Sequence, residues 1–245
     1  MIGLLIDLVD ILRGKGARDR LLDSVVVRVK HVGFVDAVRK NVAASAGANG
    51  ATLEAQLPLT RPFVADLVIA YAAEGAADLK YISSALLARH KLGAAQLHDA
   101  AIANTRKQLA KSLNIGKTRT FCGLDSSVTG LPAAAALFPE YWKGVHKAFG
   151  DELIAAIPGR DFVCFLALPA NGEERDDALA RSWIMKQSAI AAFEASDNHA
   201  LSEFAFRVRD GRFEQREQLG ERDPELAALL QSPAGEALLA RYPAG

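Results

Sequence analysis

The chain is read as an α+β fold. It should hold two strand–strand–helix units, a mainly antiparallel sheet with helices packed on it, and a C-terminal hairpin. Three observations carry that expectation. Short apolar runs come in pairs across tight turns: DLVIAYA (66–72) with LKYIS (79–83), and ELIAAIP (152–158) with DFVCFLAL (161–168). Each pair is followed by a longer segment whose apolar residues recur at helical spacing. FAFRVRDGRFEQRE (204–217) is a hairpin, with Asp210-Gly211 supplying the positive φ angles of a two-residue turn.

In chain order, Leu4, Leu5, Leu8, Val9 and Leu12 give residues 2–13 one apolar helical stripe. RGKGARDR (13–20) interrupts it as a solvated turn, and VVVRVK (25–30) is β-branched and strand-like. Residues 32–46 read as a helix, ended by SAGANG (45–50). TLEAQLPL (52–59) alternates like a half-buried strand, with Pro58 confining it to an edge. A helix over 94–113 places Leu97, Ala101, Leu109 and Leu113 on one face, and 131–149 reads as a further helical stretch. NGEERDD (171–177) links to a helix over 176–195 with Leu179, Trp183, Ile184, Ile190 and Phe193 as its apolar set. Short helices at 224–230 and 234–241 finish the chain. The domain reading is an N-terminal helix and strand/helix region, 1–50, and an α+β domain, 51–245. The second carries a weak duplication, about 63–113 and 150–197, in which AAIAN (100–104) is echoed by SAIAA (188–192).

Composition narrows the function classes. The 245 residues are 50% hydrophobic, and 29 basic side chains balance 29 acidic ones, which argues against a globally basic nucleic-acid binder. Cys122 and Cys164 are too few for a disulfide framework and fit a reducing compartment. No apolar run reaches the roughly 18–20 residues of a spanning helix. The apolar start carries Asp7 and Asp10 and reads poorly as a signal peptide. The expectation is a cytoplasmic protein with no membrane partner.

Catalytic templates fail one after another. Gly116-Lys117-Thr118 has the end of a phosphate-binding loop, but Lys111 stands where its first glycine belongs. No G-x-G-x-x-G or G-x-S-x-G is present, and the serines of GLDSSVTG (123–130) are misplaced for a nucleophile elbow. No histidine or cysteine spacing suits zinc, so neither cofactor nor metal is expected. Cys164 reads as a core residue and Cys122 as a thiol near a turn. Nothing adjacent in sequence would clearly lower the pKa of Cys122. Arg106, Lys107, Lys111, Lys117 and Arg119 form a basic stretch with no acid between Asp99 and Asp125, but no aromatic residue is interleaved before Phe121.

The distinctive polar residues lie near strand ends. Arg61 precedes the first buried strand, and Arg160-Asp161 occupies the turn after Pro158, with Asp125 and Ser126 as candidate neighbours on another loop. Arginine as a bidentate fork oriented by aspartate suits an anion or carboxylate; the same pair can simply hold the turn. Asn104, mid-helix against its propensity, is suited to tying a backbone segment in place.

The order of LPLTRPFVADLVIAYA, LHDAAIANTRKQL, FCGLDSSV, LFPEYW and GDELIAAIPGRDFVCF, over roughly 52–170, resembles the YtpQ-like family of uncharacterised bacterial cytosolic proteins. The resemblance implies an α+β fold in a bacterial cytoplasm and no activity. At Asn104, Asp125, Arg160 and Asp161 it implies a shared structural or binding role. The leading functional expectation is therefore a non-enzymatic binding or regulatory module, with a protein partner or an anionic small molecule and with a homodimer among its arrangements. The alternative is a hydrolase or transferase acting on an anionic small molecule at Arg160 and Asp161. A weaker alternative is nucleic-acid binding through 106–119.

Overall fold

The computed structural model describes residues 16–46, 50–74, 79–150, 152–171, 173–222 and 224–242. The amphipathic segment 2–13 lies outside them. The described elements are helical and antiparallel-stranded, an α+β fold. In order they are α1 (Ala17–Ser24), β1 (Val25–His31), α2 (Phe34–Ala46), α3 (Gly50–Gln56), β2 (Thr60–Val64), β3 (Leu67–Glu74) and β4 (Leu79–Tyr81). Then come α4 (Ser84–His90), α5 (Ala94–Ser112), β5 (Leu113–Lys117), β6 (Cys122–Ser126), α6 (Leu131–Ala134) and α7 (Pro139–Phe149). The last are β7 (Leu153–Gly159), β8 (Phe162–Ala167), α8 (Glu173–Ala195), β9 (Phe204–Arg209), β10 (Arg212–Gln218), α9 (Pro224–Leu230) and α10 (Pro233–Ala240). The described residues form two compact units, one drawn from 16–28, 32–61 and 69–107, the other from 29–31, 62–68 and 108–242. Among the described residues no helix is long and apolar enough to cross a membrane.

The first unit is built around strands ordered β1-β3-β2, with β4 also pairing β3. Its helix α5 buries Leu97, Ala101 and Thr105, each four residues on from the last and each fully enclosed. The Thr105 hydroxyl accepts from the Val27 amide at 2.9 Å, fastening helix to strand. Arg28 is buried and paired with Glu74 at 2.5 Å.

Two expectations fail in this unit. Residues 17–24 are a helix rather than a solvated turn, because Leu21 gives the charged segment a buried anchor and the Gly16 carbonyl accepts from the Asp19 and Arg20 amides. Residues 52–59 are not a strand. The period-two pattern of TLEAQL is too short to outweigh Ala, Leu, Glu and Gln, all good helix formers, so 50–56 coil into α3. Arg39 of α2 then reaches Glu54 at 3.1 Å, and Leu57 and Pro58, just past the helix end, are buried.

In the second unit six strands run β10-β9-β7-β8-β6-β5, each antiparallel to its neighbour. Ile154 pairs with Leu166 and Ala156 with Cys164, and these four side chains face a core shared with Ala178, Met185 and Ala189 of α8. The opposite face carries Phe165, which meets Trp142 of α7 edge-on at 5.4 Å; Trp142 also stacks edge-on to Phe213 at 4.9 Å. Cover on both faces explains why β7 is buried at every residue and reads as an unbroken apolar run.

The stretch 131–149 is helical, as expected, with a break: Pro139 removes an amide and keeps Phe138 out of the helical region (φ −115°), so a short helix and a 3-10 turn end before α7 begins. Three further expectations are corrected here. Leu113 does not extend the apolar face of α5 but opens β5. The acids of the supposed 171–177 linker instead form the first turn of α8, where they complement its dipole. The buried stripe of that helix runs through Ala178, Leu179, Ser182, Met185, Lys186 and Ala189, while Trp183, Ile184, Ile190 and Phe193 are half-buried. In the 204–217 hairpin Asp210 and Gly211 take φ of 49° and 77°, as the turn requires, and a Cβ on Gly211 would sit 2.1 Å from the Pro139 carbonyl oxygen.

Candidate functional site

The six residues singled out in the sequence fall in both units. Arg61 and Asn104 belong to the first, Asp125, Ser126, Arg160 and Asp161 to the second.

Asn104 is a structural tie. Its amide nitrogen donates to the carbonyls of Leu22 at 2.8 Å, Asp23 at 3.2 Å and Val25 at 2.9 Å. The carbonyls of Leu22 and Asp23 belong to the last turn of α1, where a helix has no amide donors of its own to offer them, and Val25 opens β1. Arg61 is exposed on β2. Its charge reaches Tyr71 and His98, whose hydroxyl and Nδ1 are 3.0 Å apart. Burial raises the Tyr71 pKa against the pull of Arg61, and burial with Arg61 lowers that of His98.

The other four residues share one end of the six-stranded sheet, because Leu124 of β6 pairs with Val163 of β8. Asp161 Oδ2 accepts from Arg160 Nε at 2.9 Å, and its Oδ1 accepts from the Gly130 amide at 2.5 Å, just before α6. The Arg160 carbonyl accepts from the Ala133 amide, and its own amide donates to the His199 carbonyl, both at 3.3 Å. Ser126 Oγ accepts from the Val128 amide at 3.0 Å within its own turn. Asp125 is exposed. Asp161 and the Arg160 backbone thus tie this turn to the segments at 130–133 and 199, while Ser126 closes its own turn.

A different arrangement forms at the opposite end of β6. Thr118 N donates to the Phe121 carbonyl at 2.9 Å, and Thr118 Oγ1 accepts from the Phe121 amide at 3.0 Å, closing the β5–β6 turn. This register sets Lys117 directly opposite Cys122, so their side chains leave the same face of the ladder. Together with Thr118, Thr120, Phe149 and Arg181 they line an open cleft of about 330 Å³. Lys117 Nζ lies 4.7 Å from the centre of the Phe149 ring. Arg181 is held by Asp177, one turn earlier on α8, at 2.9 Å.

Among the described residues no carboxylate lines this cleft. The Cys122 thiol is pushed up by burial, with Lys117 and Arg181 pulling it back only in part. Cys164, fully enclosed, is pushed up to about 12 by burial. The chemistry on offer is therefore two cations and hydroxyls around a thiol that stays protonated at neutral pH. That combination suits holding an anion better than nucleophilic attack.

Lys117 and Cys122 each stood out in the sequence, but their pairing and the arrival of Arg181 did not. Of the basic stretch, Arg106, Lys107 and Lys111 lie on α5 while Lys117 and Arg119 lie beyond its end, so the five do not form one helical face. Comparison with family models, with curated proteins and with solved structures gives no match to this chain.

Proposed function

We propose that the protein is a non-enzymatic binding or regulatory module that holds a small anionic molecule in the cleft of Lys117 and Arg181. The observation that carries this reading is the convergence of two cations on a cleft whose described lining has no carboxylate. An anion there gains charge-assisted hydrogen bonds from Lys117, which is exposed, and from Arg181, whose Nε already holds Asp177. Binding rather than turnover is favoured because the one thiol in the cleft has its pKa raised rather than lowered. The turn pair Arg160 and Asp161 supports the alternative, chemistry on an anionic substrate, less well, since Asp161 is already bonded to the Gly130 amide and to Arg160. The likeness to the YtpQ-like family implies no activity and so leaves this reading as it stands.

The test is a thermal-shift and calorimetric screen with inorganic phosphate, citrate and straight-chain carboxylates, on the protein and on Lys117→Gln. Ligand that binds only the native state raises the melting midpoint by mass action. The expected result is a rise that weakens with added salt and is lost in Lys117→Gln, whose midpoint without ligand stays near that of the parent. An equal rise in both proteins, or no rise with any anion, would overturn the reading.

A further inference from the structure

Half of the ten residues lining the cleft of Lys117 are apolar: Phe121, Phe149, Leu166, Ala167 and Pro169. A bare inorganic anion would use none of them. Leu166 and Ala167 end β8, the neighbour of β6 in the sheet, and Phe121 packs against the core cluster that includes Leu166. Phe149, the last residue of α7, is set edge-on to Phe165 at 5.6 Å and carries the Lys117 ammonium 4.7 Å from its ring centre. A ring fixed in this way holds an exposed lysine beside the apolar wall.

The polar side of the cleft is poor in charge and in side-chain donors. Arg181 is paired through Nε with Asp177, so among the described residues Lys117 is the lining cation that has no carboxylate partner. Thr118 Oγ1 donates to the Phe121 carbonyl at 2.8 Å and accepts from the amides of Thr120 and Phe121 at 3.2 and 3.0 Å. A phosphate or a tricarboxylate would bring several charges and many acceptors to this lining, and their lost hydration would not be returned. One carboxylate matches the single unpaired cation, and apolar surface attached to it leaves water against Phe121, Leu166, Ala167 and Pro169.

Resting on the anion site proposed above, we infer that the ligand is a monocarboxylate carrying an apolar body. Its carboxylate lies at Lys117, with Arg181 as the second cation, and its body covers the wall of Phe121, Leu166 and Ala167.

The experiment measures dissociation constants by calorimetry for 3-phenylpropionate and hexanoate, against acetate, citrate, inorganic phosphate and the uncharged 3-phenylpropanol. It uses the full chain, Lys117→Gln and Phe121→Ala. Ala167→Leu, which fills the space beside the wall, takes the place of Phe121→Ala if that variant does not melt cooperatively. The expected result is that 3-phenylpropionate or hexanoate binds at least about tenfold tighter than acetate, the gain from burying about two methylenes' worth of apolar surface. Citrate and phosphate bind no tighter than acetate. Phe121→Ala or Ala167→Leu shrinks the tenfold ratio and leaves acetate as before, while Lys117→Gln weakens every acid.

If acetate, citrate or phosphate binds as tightly as 3-phenylpropionate and hexanoate, the monocarboxylate inference is overturned and the anion site stands. An unchanged ratio in the wall variant also overturns the inference alone. If 3-phenylpropanol binds as tightly as its acid, if no acid binds, or if Lys117→Gln changes nothing, the anion site fails and the inference with it.

Discussion

Asn104→Ala tests whether the best-placed polar residue of the first unit acts structurally. Two amide hydrogens serve three carbonyls, those of Leu22, Asp23 and Val25, at 2.8, 3.2 and 2.9 Å. Losing two hydrogen bonds costs about 1 kcal/mol each. Alanine returns about 0.6 kcal/mol because it is the better helix former in the middle of α5. The net expectation is a loss of about 1.5 kcal/mol. Asn104→Asp should cost more than Asn104→Ala, because a carboxylate of nearly the same shape turns acceptors toward three carbonyl oxygens in place of the amide's donors. The assay is urea unfolding followed by far-ultraviolet dichroism, in which a lower midpoint at constant slope reports stability alone. An aspartate variant as stable as the alanine variant, or an alanine variant as stable as the parent, would refute the reasoning, since neither can happen if the amide hydrogens join α1 to α5.

Two further outcomes follow from the second unit. Asp161→Ala should lower stability by about 1 kcal/mol, the usual worth of a helix-start acceptor, and Asp161→Asn by less, because Oδ1 can still accept from the Gly130 amide; equal losses in urea unfolding would show that the pairing with Arg160 is what matters. The pKa of Cys164 is raised on folding, from 9.0 to about 12. Burying the neutral thiol therefore contributes stability below pH 9.0 that is lost as pH rises from there toward about 12. Cys164→Ala should flatten that alkaline fall in stability, and an unchanged slope would place the alkaline sensitivity elsewhere, with Tyr141, also raised to about 12 by burial, the next group to replace.

Legibility in the sequence tracked how completely an element is covered. β7 and β8 were plain because helices lie on both faces, which forces continuous apolar runs such as LIAAI and FVCFL. The strand of 25–30 was plain because its first five residues are buried and four of them are valines. β5 was invisible because it is an edge strand: LNIGK is exposed along most of its length and held by its ladder to β6. α1 has one buried side chain in eight residues and offered no stripe to detect. The buried face of α8 was misjudged because its members include Ala178, Ser182 and Lys186, residue types that apolar periodicity does not count. Lys186 is nonetheless enclosed, its charge met by Glu217 at 3.1 Å.

The candidate site divides along the same physical line. Asn104 was readable because its signal is local: a residue that disfavours mid-helix positions is kept where its side chain has backbone to bond. Asp161 announced itself as a turn residue, but its partner amide is 31 positions earlier and no local pattern points to it. The cleft needs one more step of knowledge. A lysine and a cysteine five residues apart face the same way only if a four-residue turn fixes the register, and in an exposed edge hairpin no apolar alternation encodes that register. What encodes it is Thr118, whose hydroxyl gathers the amides of Thr120 and Phe121 and so sets Lys117 against Cys122. Rejecting the phosphate-loop motif at 116–118 was correct as motif logic, since the glycine that would curl backbone amides around phosphate is Lys111. The same three residues nevertheless end a strand whose side chains, joined by Arg181 from a helix some sixty positions on, present cations to one cleft. Charge placed by side chains on a hairpin leaves no glycine signature, so the anion site could be found only after the strands had been paired.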